Sequence, residues 1–527
     1  MKKRSRVSVA VTLCLAFVMT MLMSVSTFAL SKTDTQDVTV NNLTNGSTVN
    51  AYQVIKLNVN DQGGFNSPMY TWDTDVQSWV RANYSSYITT EGDVSDTFAD
   101  LEADAAMPFW EALGKAVTTD SGLRLSPDKT ATSQYGNQAV LSDLEMGSYL
   151  LLAVCGENVG TRFNTTAYNV LPTKSGDSYE LASTGSVSLK HEPPVFEKDV
   201  PDIDDITTAV GKSVNYQIHN VILSYPSNTD TVHYVVGDKM GTGLTFNTGT
   251  VVVSWDENQQ EKINASSSTY NLQETTNGFT VTFAKDFILE NQTKDLYVSY
   301  SATVNEEAVN VDEVNNTATW TYNPNPYTDE NYTVESKEKV YTYDILFDKM
   351  DNTATNFLTG AKFKVQDASD NYLKFTKTHN NTYVYDDKGS AGSVEELEVT
   401  TDGPLRILGL DTGVYKLTET QAPQDYVLPT GYVTITLVDE EGTETGPDGK
   451  LDAETEAGAN GTYKIQNTET INNQTQFHFV LLNSKPGDLN LPVTGGMGTL
   501  IFTIAGIAVM GGAVMLFMYG RKKNSAK

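Results

Sequence analysis

The segment that decides the fold reads GVYKLTETQAP, at residues 413–423. It is a short run rich in apolar and β-favouring residues that ends in polar residues and proline, the pattern of a β-strand entering a loop. The same pattern recurs through residues 340–485, in YDILFDKM, AKFKVQD, GYVTITLV and FHFVLLNS. No long helical periodicity interrupts these runs, so we expect this part of the chain to fold as a β-sandwich.

Residues 195–335 show the same organisation and predict a second β-sandwich. Its expected strands, separated by Asn, Gly and Asp clusters, are SVNYQIHNVIL, GTVVVSW, GFTVTF, DLYVSYSATV and NTATWTY. The polar, proline-punctuated segment NPNPYTDEN, at residues 323–331, predicts a linker between the two sandwiches.

Residues 30–193 are mixed in character. TVNAYQVIKLNV and GSYLLLAV predict strands, whereas residues 96–117 carry apolar side chains at helical spacing (Phe98, Leu101, Ala105, Phe109, Leu113). HEPP, at residues 191–194, predicts a boundary. The expected fold class is mainly β, with tandem Ig-like β-sandwich domains at 194–335 and 336–490 preceded by a mixed α/β N-terminal domain at 30–193.

Both ends of the chain carry targeting signals. Residues 1–29 combine a basic start, an apolar run and the small-residue ending TFA, which predicts a signal peptide cleaved after Ala29. Near the other end, residues 499–519 are apolar and long enough to cross a bilayer, and a basic tail follows at once. The body of the protein is therefore expected outside the cell.

The sequence LPVTG stands directly before the apolar span, at residues 491–495. It resembles the LPXTG sorting signal of Gram-positive surface proteins, in which motif, apolar span and basic tail hold the substrate for sortase. The resemblance implies cleavage between Thr494 and Gly495, with the Thr494 carbonyl passed to an amine. The motif residues are Leu491, Pro492, Val493, Thr494 and Gly495.

Composition excludes several classes of function. The net charge of −30 opposes binding to phosphate backbones, so we expect no nucleic-acid partner. Cys14 leaves with the signal peptide, and Cys155 alone cannot form an internal disulfide; we expect it to be a buried small hydrophobe, the alternative being a thioester-forming cysteine. Five scattered histidines and the absence of phosphate-loop, nucleophile-elbow or zincin motifs predict no metal site, no cofactor and no enzyme acting on diffusible substrates.

The module at 336–490 carries the most specific motifs: Lys349 in FDKMD, Glu419 in YKLTETQAP and Asn483 in FVLLNSKPG. Together they resemble the CnaB-type domain of Gram-positive pilins and adhesins, with Glu419 at the E-box position. The resemblance implies a spontaneous isopeptide bond between Lys349 and Asn483, assisted by Glu419.

The module at 194–335 is similar to a CnaA-type pilin domain. The residues concerned are Lys198 in PVFEKDV, Asp238 in YVVGDKMGTGLTF and Asn316 in VNNTATWTY, with the adjacent Asn315 as the alternative. By this resemblance Lys198 and Asn316 form the second isopeptide bond and Asp238 is the assisting acid.

The chemistry explains these residue types. A lysine attacks only as a neutral amine, and burial lowers its pKa while it raises the pKa of a carboxyl group. The protonated acid can then polarise the asparagine amide and shuttle protons as ammonia leaves. Each lysine is expected on the first strand of its module and each asparagine on the last, so each bond would close nearly the whole module. The N-terminal domain contains Glu145 in DLEMGSYLLL, but its lysine and asparagine candidates are too many for a bond to be assigned.

The order of the parts resembles a major pilus backbone subunit. That class implies head-to-tail joining of identical subunits by a pilus-class sortase, final attachment to peptidoglycan by the housekeeping sortase, minor pilins as partners, and a location in the cell wall. Such subunits offer an acceptor lysine, for which Lys190 in VSLKHEPPVFEKDV is preferred and Lys174 in YNVLPTKSG is the alternative. The family's usual YPK context is absent here. The alternative to a polymerised subunit is a monomeric wall-anchored adhesin or a minor pilin.

Overall fold

A computed structural model of the protein describes residues 30–487, apart from residues 120–121, 135, 157–159, 202–206, 312, 442–446 and 459–460. The predicted signal peptide, the sorting motif at 491–495 and the apolar span at 499–519 lie outside the described residues. Within the described part, no helix is long and apolar enough to cross a membrane.

The N-terminal module combines two larger sheets and two two-stranded pairs with helices. Its strands are β1 (Thr35–Asn41), β2 (Thr48–Val59), β3 (Phe65–Trp72), β4 (Lys129–Thr132), β5 (Ala139–Glu145), β6 (Gly147–Val154), β7 (Arg162–Phe163), β8 (Thr166–Val170), β9 (Thr173–Ser175), β10 (Ser178–Glu180), β11 (Thr184–Ser188) and β12 (His191–Glu192). Its helices are α1 (Thr74–Asn83), α2 (Asp96–Ala99) and α3 (Ala103–Thr118), with a 3-10 turn at Ser85–Tyr87.

The order β3-β2-β6-β8, with β4 paired to β2, makes the larger sheet of this module, and β11-β1-β5 makes a three-stranded sheet. The two-stranded pairs are β9–β10 and β7–β12. The predicted helical segment at 96–117 is confirmed, although it is divided: Leu101 falls between α2 and α3. An aromatic cluster that includes Trp72, Phe98 and Phe109 packs the helices against the larger sheet, with the Phe98 and Phe109 ring centroids 4.9 Å apart.

The middle module is a sandwich of two sheets. Its elements are β13 (Phe196–Asp199), β14 (Ser213–Val221), β15 (Tyr234–Met240), β16 (Leu244–Phe246), β17 (Val252–Ser254), β18 (Lys262–Ile263), β19 (Tyr270–Thr275), β20 (Gly278–Phe283), α4 (Lys285–Glu290), β21 (Asp295–Val304), a 3-10 turn at Glu306–Asn310, β22 (Val314–Tyr322) and β23 (Tyr332–Val340). One sheet has the order β13-β14-β21-β17-β18, with β16 on β21, and the other has the order β19-β20-β15-β22-β23.

Strand β23 corrects one prediction. It pairs with β22 along its whole length, from Val314 opposite Val340 to Tyr322 opposite Tyr332. Residues 323–331 are therefore the loop of a hairpin within the middle module, and they do not link two modules. A boundary after residue 335 would cut through β23. The outward side chains of β23 are polar or charged, which explains why its sequence does not show the apolar pattern of the other strands.

The C-terminal module is the second sandwich. Its strands are β24 (Tyr343–Asp351), β25 (Lys362–Gln366), β26 (Phe375–His379), β27 (Thr382–Tyr385), β28 (Leu397–Glu398), β29 (Leu405–Leu410), β30 (Gly413–Gln421), β31 (Val433–Glu441), β32 (Pro447–Ala457), β33 (Lys464–Asn472) and β34 (Gln476–Asn483). The sheets have the orders β26-β27-β29-β24-β34-β33 and β28-β25-β30-β31-β32. The first strand, β24, and the last, β34, are parallel neighbours.

Direct contacts join consecutive modules. Between the first two, the Tyr322 hydroxyl donates to the Gly160 carbonyl at 2.6 Å, and Lys115 forms an ion pair with Asp230 at 2.5 Å. Between the last two, the Val210 N–H donates to the Gly409 carbonyl at 3.0 Å. The mainly β, modular architecture predicted from the sequence is confirmed.

Candidate crosslinking sites

The C-terminal module buries a lysine, a glutamate and an asparagine together in its core. Lys349, Glu419 and Asn483 are 1%, 3% and 2% exposed. Alternation along β30 turns Tyr415, Leu417 and Glu419 toward the core, so a strand pattern that normally buries apolar residues here buries a carboxyl group.

The atoms of this site lie within reach of one another. The Lys349 ammonium contacts the Asn483 side-chain oxygen, and its Nζ lies 3.3 Å from Glu419 Oε2. Asn483 Nδ2 donates to Glu419 Oε1 at 2.8 Å and to the Val427 carbonyl at 3.3 Å. The lysine nitrogen and the acid therefore both contact the amide on which the reaction would occur, an arrangement that favours intramolecular attack.

Burial sets the protonation states at this site. It lowers the pKa of Lys349 to about 8, against the opposing influence of Glu419, and it raises the pKa of Glu419 above its ordinary value. Both shifts favour the neutral forms of the pair, because a low-dielectric interior penalises charge. A neutral amine and a protonated acid are the forms that amide formation requires.

The middle module assembles a similar set from different strands. Lys198 lies on β13 of one sheet, whereas Asp238 and Asn316 lie on the paired strands β15 and β22 of the other. Lys198 and Asp238 are each 5% exposed and Asn316 is fully buried. Lys198 Nζ donates to Asp238 Oδ2 at 2.7 Å, so the amine and the acid are in direct contact inside the core.

Tyrosines complete the middle site. The Tyr300 hydroxyl donates to Asp238 Oδ2 at 2.5 Å and accepts from Asn316 Nδ2 at 3.2 Å. Lys198 Nζ lies 4.7 Å from the centroid of the Tyr216 ring, a distance that allows a cation–π contact. Burial lowers the pKa of Lys198 to about 8 and raises the pKa of Asp238, so the middle site favours the same neutral forms as the C-terminal site.

The remaining predicted residues lie outside these two clusters. Asn315 is only half-buried and donates to Glu313 at 3.2 Å, away from Asp238. Lys190 and Lys174 are exposed, and so is Glu145. Among the described residues of the N-terminal module, the buried charged group is Arg162, and no lysine is buried. Cys155 is buried, and burial raises the pKa of its thiol.

Two aromatic residues of these sites are not among the residues predicted from the sequence. Tyr300 occurs in a predicted strand, and the alternation in DLYVSYSATV could have indicated that it points inward with Val298 and Ala302. The second omission is Tyr463, whose hydroxyl accepts the backbone N–H of Glu419 at 2.6 Å. No sequence pattern near Tyr463 indicates that it contacts the strand that carries Glu419, because the two residues are 44 positions apart and meet only in the folded module.

Comparisons with known proteins match both the C-terminal module and the end of the chain. Residues 343–451 match the SpaA family of prealbumin-like fold domains, and residues 490–527 match the LPXTG cell wall anchor motif. The chain is 26% identical over 565 aligned positions to the trypsin-resistant surface T6 protein of Streptococcus pyogenes serotype M6, covering 94% of this chain and 96% of that protein.

The fold is also shared with a solved structure. The T6 backbone pilin of serotype M6 Streptococcus pyogenes, which has a modular three-domain structure, aligns with a TM-score of 0.57 and 20% identity, over 87% of this chain and all of that one. The anchor motif confirms the predicted class, a secreted protein anchored in a Gram-positive cell wall. Within that class, the similarity to the T6 protein along nearly the whole chain and the fold shared with the T6 backbone pilin confirm the predicted resemblance to the major pilins.

Proposed function

We propose that this protein is the repeating structural subunit of a covalent cell-surface pilus. The observation that carries the proposal is the combination of a backbone-pilin fold with an LPXTG anchor in a single chain. A pilus-class sortase cleaves between Thr494 and Gly495 and joins the Thr494 carbonyl to a lysine amine of the next subunit. Such head-to-tail contacts do not close on themselves and therefore build a filament, to which minor pilins are added. The housekeeping sortase attaches the filament to peptidoglycan.

Lys190 is our preferred acceptor. It is exposed and lies between β11 and β12, where its carbonyl accepts the Asn164 N–H at 3.0 Å. Glu192, two residues on, bonds to the middle module through the Ser224 N–H at 2.7 Å. The backbone that presents Lys190 is thus held from both sides, whereas Lys174 lies on the exposed two-stranded hairpin β9–β10. A fixed backbone presents the amine in a defined position to an enzyme.

Each sandwich forms its own isopeptide bond in this proposal, between Lys349 and Asn483 and between Lys198 and Asn316. The neutral lysine nitrogen attacks the asparagine Cγ, the new Nζ–Cγ bond forms, and the Cγ–Nδ2 bond breaks. One lysine proton is transferred through the acid to the departing nitrogen, which leaves as ammonia. Atoms balance without an oxidant or cofactor. Each bond forms once per molecule, so the reaction is self-processing and not turnover.

The polymer is tested by a boiled SDS immunoblot of enzymatically released cell wall. The expected result is a ladder of high-mass species in wild type that is lost in Lys190→Ala and in Thr494→Ala. Lys388→Ala, which removes another exposed lysine, is the matched control and should keep the ladder. Loss of the ladder in Lys174→Ala alone would support the polymer but identify Lys174, and not Lys190, as the acceptor lysine. A single monomer-sized band in wild type would overturn the polymer and favour a monomeric wall-anchored adhesin or minor pilin.

The intramolecular bonds are tested separately by intact mass. The purified mature chain should be lighter than its sequence by two ammonia molecules, and proteolysis should release two branched peptides. Lys349→Ala should remove one ammonia loss and one branched peptide and leave the other unchanged. A wild-type mass equal to the sequence mass would overturn both bonds without affecting the polymer proposal.

A further inference from the structure

The middle site differs from the C-terminal site in the path between its acid and its amide. In the C-terminal site Asn483 Nδ2 donates directly to Glu419 at 2.8 Å. In the middle site the Tyr300 hydroxyl bonds to both groups: it donates to Asp238 Oδ2 at 2.5 Å and accepts from Asn316 Nδ2 at 3.2 Å. The Asn316 amide also lies close enough to Asp238 to oppose the rise that burial causes in the pKa of its carboxyl group, but the hydrogen bonds of normal length run through Tyr300. Lys198 donates to the same carboxylate oxygen, Asp238 Oδ2, at 2.7 Å. The nucleophile, the acid, the hydroxyl and the departing nitrogen thus form one continuous chain of hydrogen bonds.

The lengths of the acidic side chains explain this difference. Glutamate has one more methylene than aspartate, and in the C-terminal site that reach brings the carboxyl group to the amide nitrogen. The Phe363 ring, whose centroid lies 5.9 Å from Lys349 Nζ there, has no hydroxyl group. In the middle site the shorter Asp238 meets a tyrosine supplied by β21 of the opposite sheet.

The environment keeps the Tyr300 hydroxyl protonated. Tyr300 is 3% exposed, and its ring stacks on Tyr216 with the centroids 5.4 Å apart. Burial and the adjacent Asp238 raise its pKa well above the ordinary value. A neutral hydroxyl can give a proton to one neighbour while it receives a proton from the other, and so remains unchanged at the end of the reaction.

We propose that Tyr300 is a catalytic residue of the Lys198–Asn316 crosslink and relays a proton from Asp238 to Asn316 Nδ2. The inference rests on the proposed crosslink. Protonated Asp238 passes its proton to the Tyr300 oxygen, and Tyr300 gives its own proton to Asn316 Nδ2 as the Cγ–Nδ2 bond breaks. The lysine nitrogen, which forms the Nζ–Cγ bond, gives one proton back to Asp238. The lysine nitrogen loses one N–H bond, ammonia gains one, and the acid and hydroxyl return to their starting states.

The test is Tyr300→Phe, which keeps the ring and deletes the hydroxyl. The full mature chain is synthesised in a cell-free system and quenched into denaturant before it folds, so that no bond has formed. Folding is then started by dilution, and intact mass together with branched-peptide mapping follows each bond over time. Formation of the Lys198–Asn316 bond should slow by about 100-fold, the lower end of what general acid–base groups contribute. The Lys349–Asn483 bond in the same molecules is the internal control and should form at the wild-type rate. Tyr270→Phe, which deletes a buried hydroxyl bonded to the Ile263 carbonyl at 3.0 Å, is the matched control within the module.

A second pair of variants separates chemistry from folding. Tyr300→Phe is also made in Lys198→Met, which cannot crosslink, and its Tm is compared with that of Lys198→Met alone. An equal Tm assigns the slow bond formation to the relay, whereas a collapse of the Tm overturns the relay in favour of a structural role. Bond formation at the wild-type rate in Tyr300→Phe also overturns it. Absence of the bond in wild type would instead reject the crosslink itself.

Discussion

The two sandwiches bring a lysine, an acid and an asparagine together by different routes. In the C-terminal module Lys349 and Asn483 lie on adjacent parallel strands of one sheet, and Glu419 reaches them from the opposite sheet. In the middle module the acid and the asparagine share a sheet, and Lys198 comes from the opposite one. The first bond would join two strands side by side, whereas the second would join the two sheets through the core. The same three types of side chain can therefore meet in a buried core without the same arrangement of strands.

The difference affects how much of each module its bond encloses. Lys349 and Asn483 are 134 positions apart and lie on the first and last strands, so the bond would enclose nearly the whole C-terminal module. Asn316 lies on the penultimate strand of the middle module, and β23 follows it. Each bond would close a loop of more than about 100 residues, and the entropy lost by the unfolded chain would stabilise the module by roughly 5 kcal/mol. The two bonds should therefore stabilise equally while leaving different lengths of chain outside the crosslink.

The largest expected effect comes from deleting each amine. Lys349→Met and Lys198→Met should each reduce the free energy of unfolding of their module by about 5 kcal/mol, because the loop-closure constraint is lost. Denaturant unfolding followed by a probe in each module measures the two values. Lys364→Met, on the partly exposed face of β25, is the control and should change little. A clearly smaller loss of unfolding free energy in one module would contradict the expectation that the two bonds stabilise equally.

A pH series sharpens the comparison. Glu419→Gln and Asp238→Asn should block bond formation and leave each lysine as a buried amine. Burial lowers the pKa of both lysines to about 8, against the opposing influence of the acids that these variants remove, whereas the pKa is about 10.4 in the unfolded chain. Between these values the unfolded chain binds more protons, so the stability of both variants should rise from about pH 8 to pH 10.4. Wild type should lack this rise, because its amines have become amides. Denaturant midpoints at pH 7, 8, 9 and 10 provide the measurement.

The smallest effect concerns the strand outside the middle loop. The Ser336 hydroxyl on β23 accepts the backbone N–H of Lys198 at 3.1 Å. Ser336→Ala should cost about 1 kcal/mol, the usual net value of one hydrogen bond. Thr333→Val, which deletes an exposed hydroxyl on the same strand, should cost less. An equal loss of stability in the two variants would show that the hydrogen bond between Ser336 and the Lys198 backbone adds no stability of its own.

Short sequence motifs were enough to predict the lysine, acid and asparagine of each site. Which of two neighbouring residues points inward, and which aromatic residues join the site, depends on how the strands align and pack in three dimensions. Asn316 and Asn315 are adjacent in the chain, but the alternation of β22 turns Asn316 inward and leaves Asn315 half-exposed. The contacts of Tyr300 with Asp238 and Asn316 depend on how β21 packs against the opposite sheet, which no local pattern specifies. Strand β23 was missed because its exposed face is charged and its neighbour in sequence is a proline-rich loop. The isopeptide pairs and the acceptor lysine stay predictions until bond formation is measured.

The position of Asn316 also determines where a protease could divide the subunit. With both bonds formed, a single cut between residues 199 and 315, or between 350 and 482, leaves the two pieces joined through a side-chain amide. Within the two sandwiches, a cut separates the ends only outside these ranges, as in the β22–β23 hairpin beyond Asn316 or in the short connection to β24. The segment from Asn316 to Lys349, which includes the charged strand β23, would then be a place where one cleavage breaks the fibre.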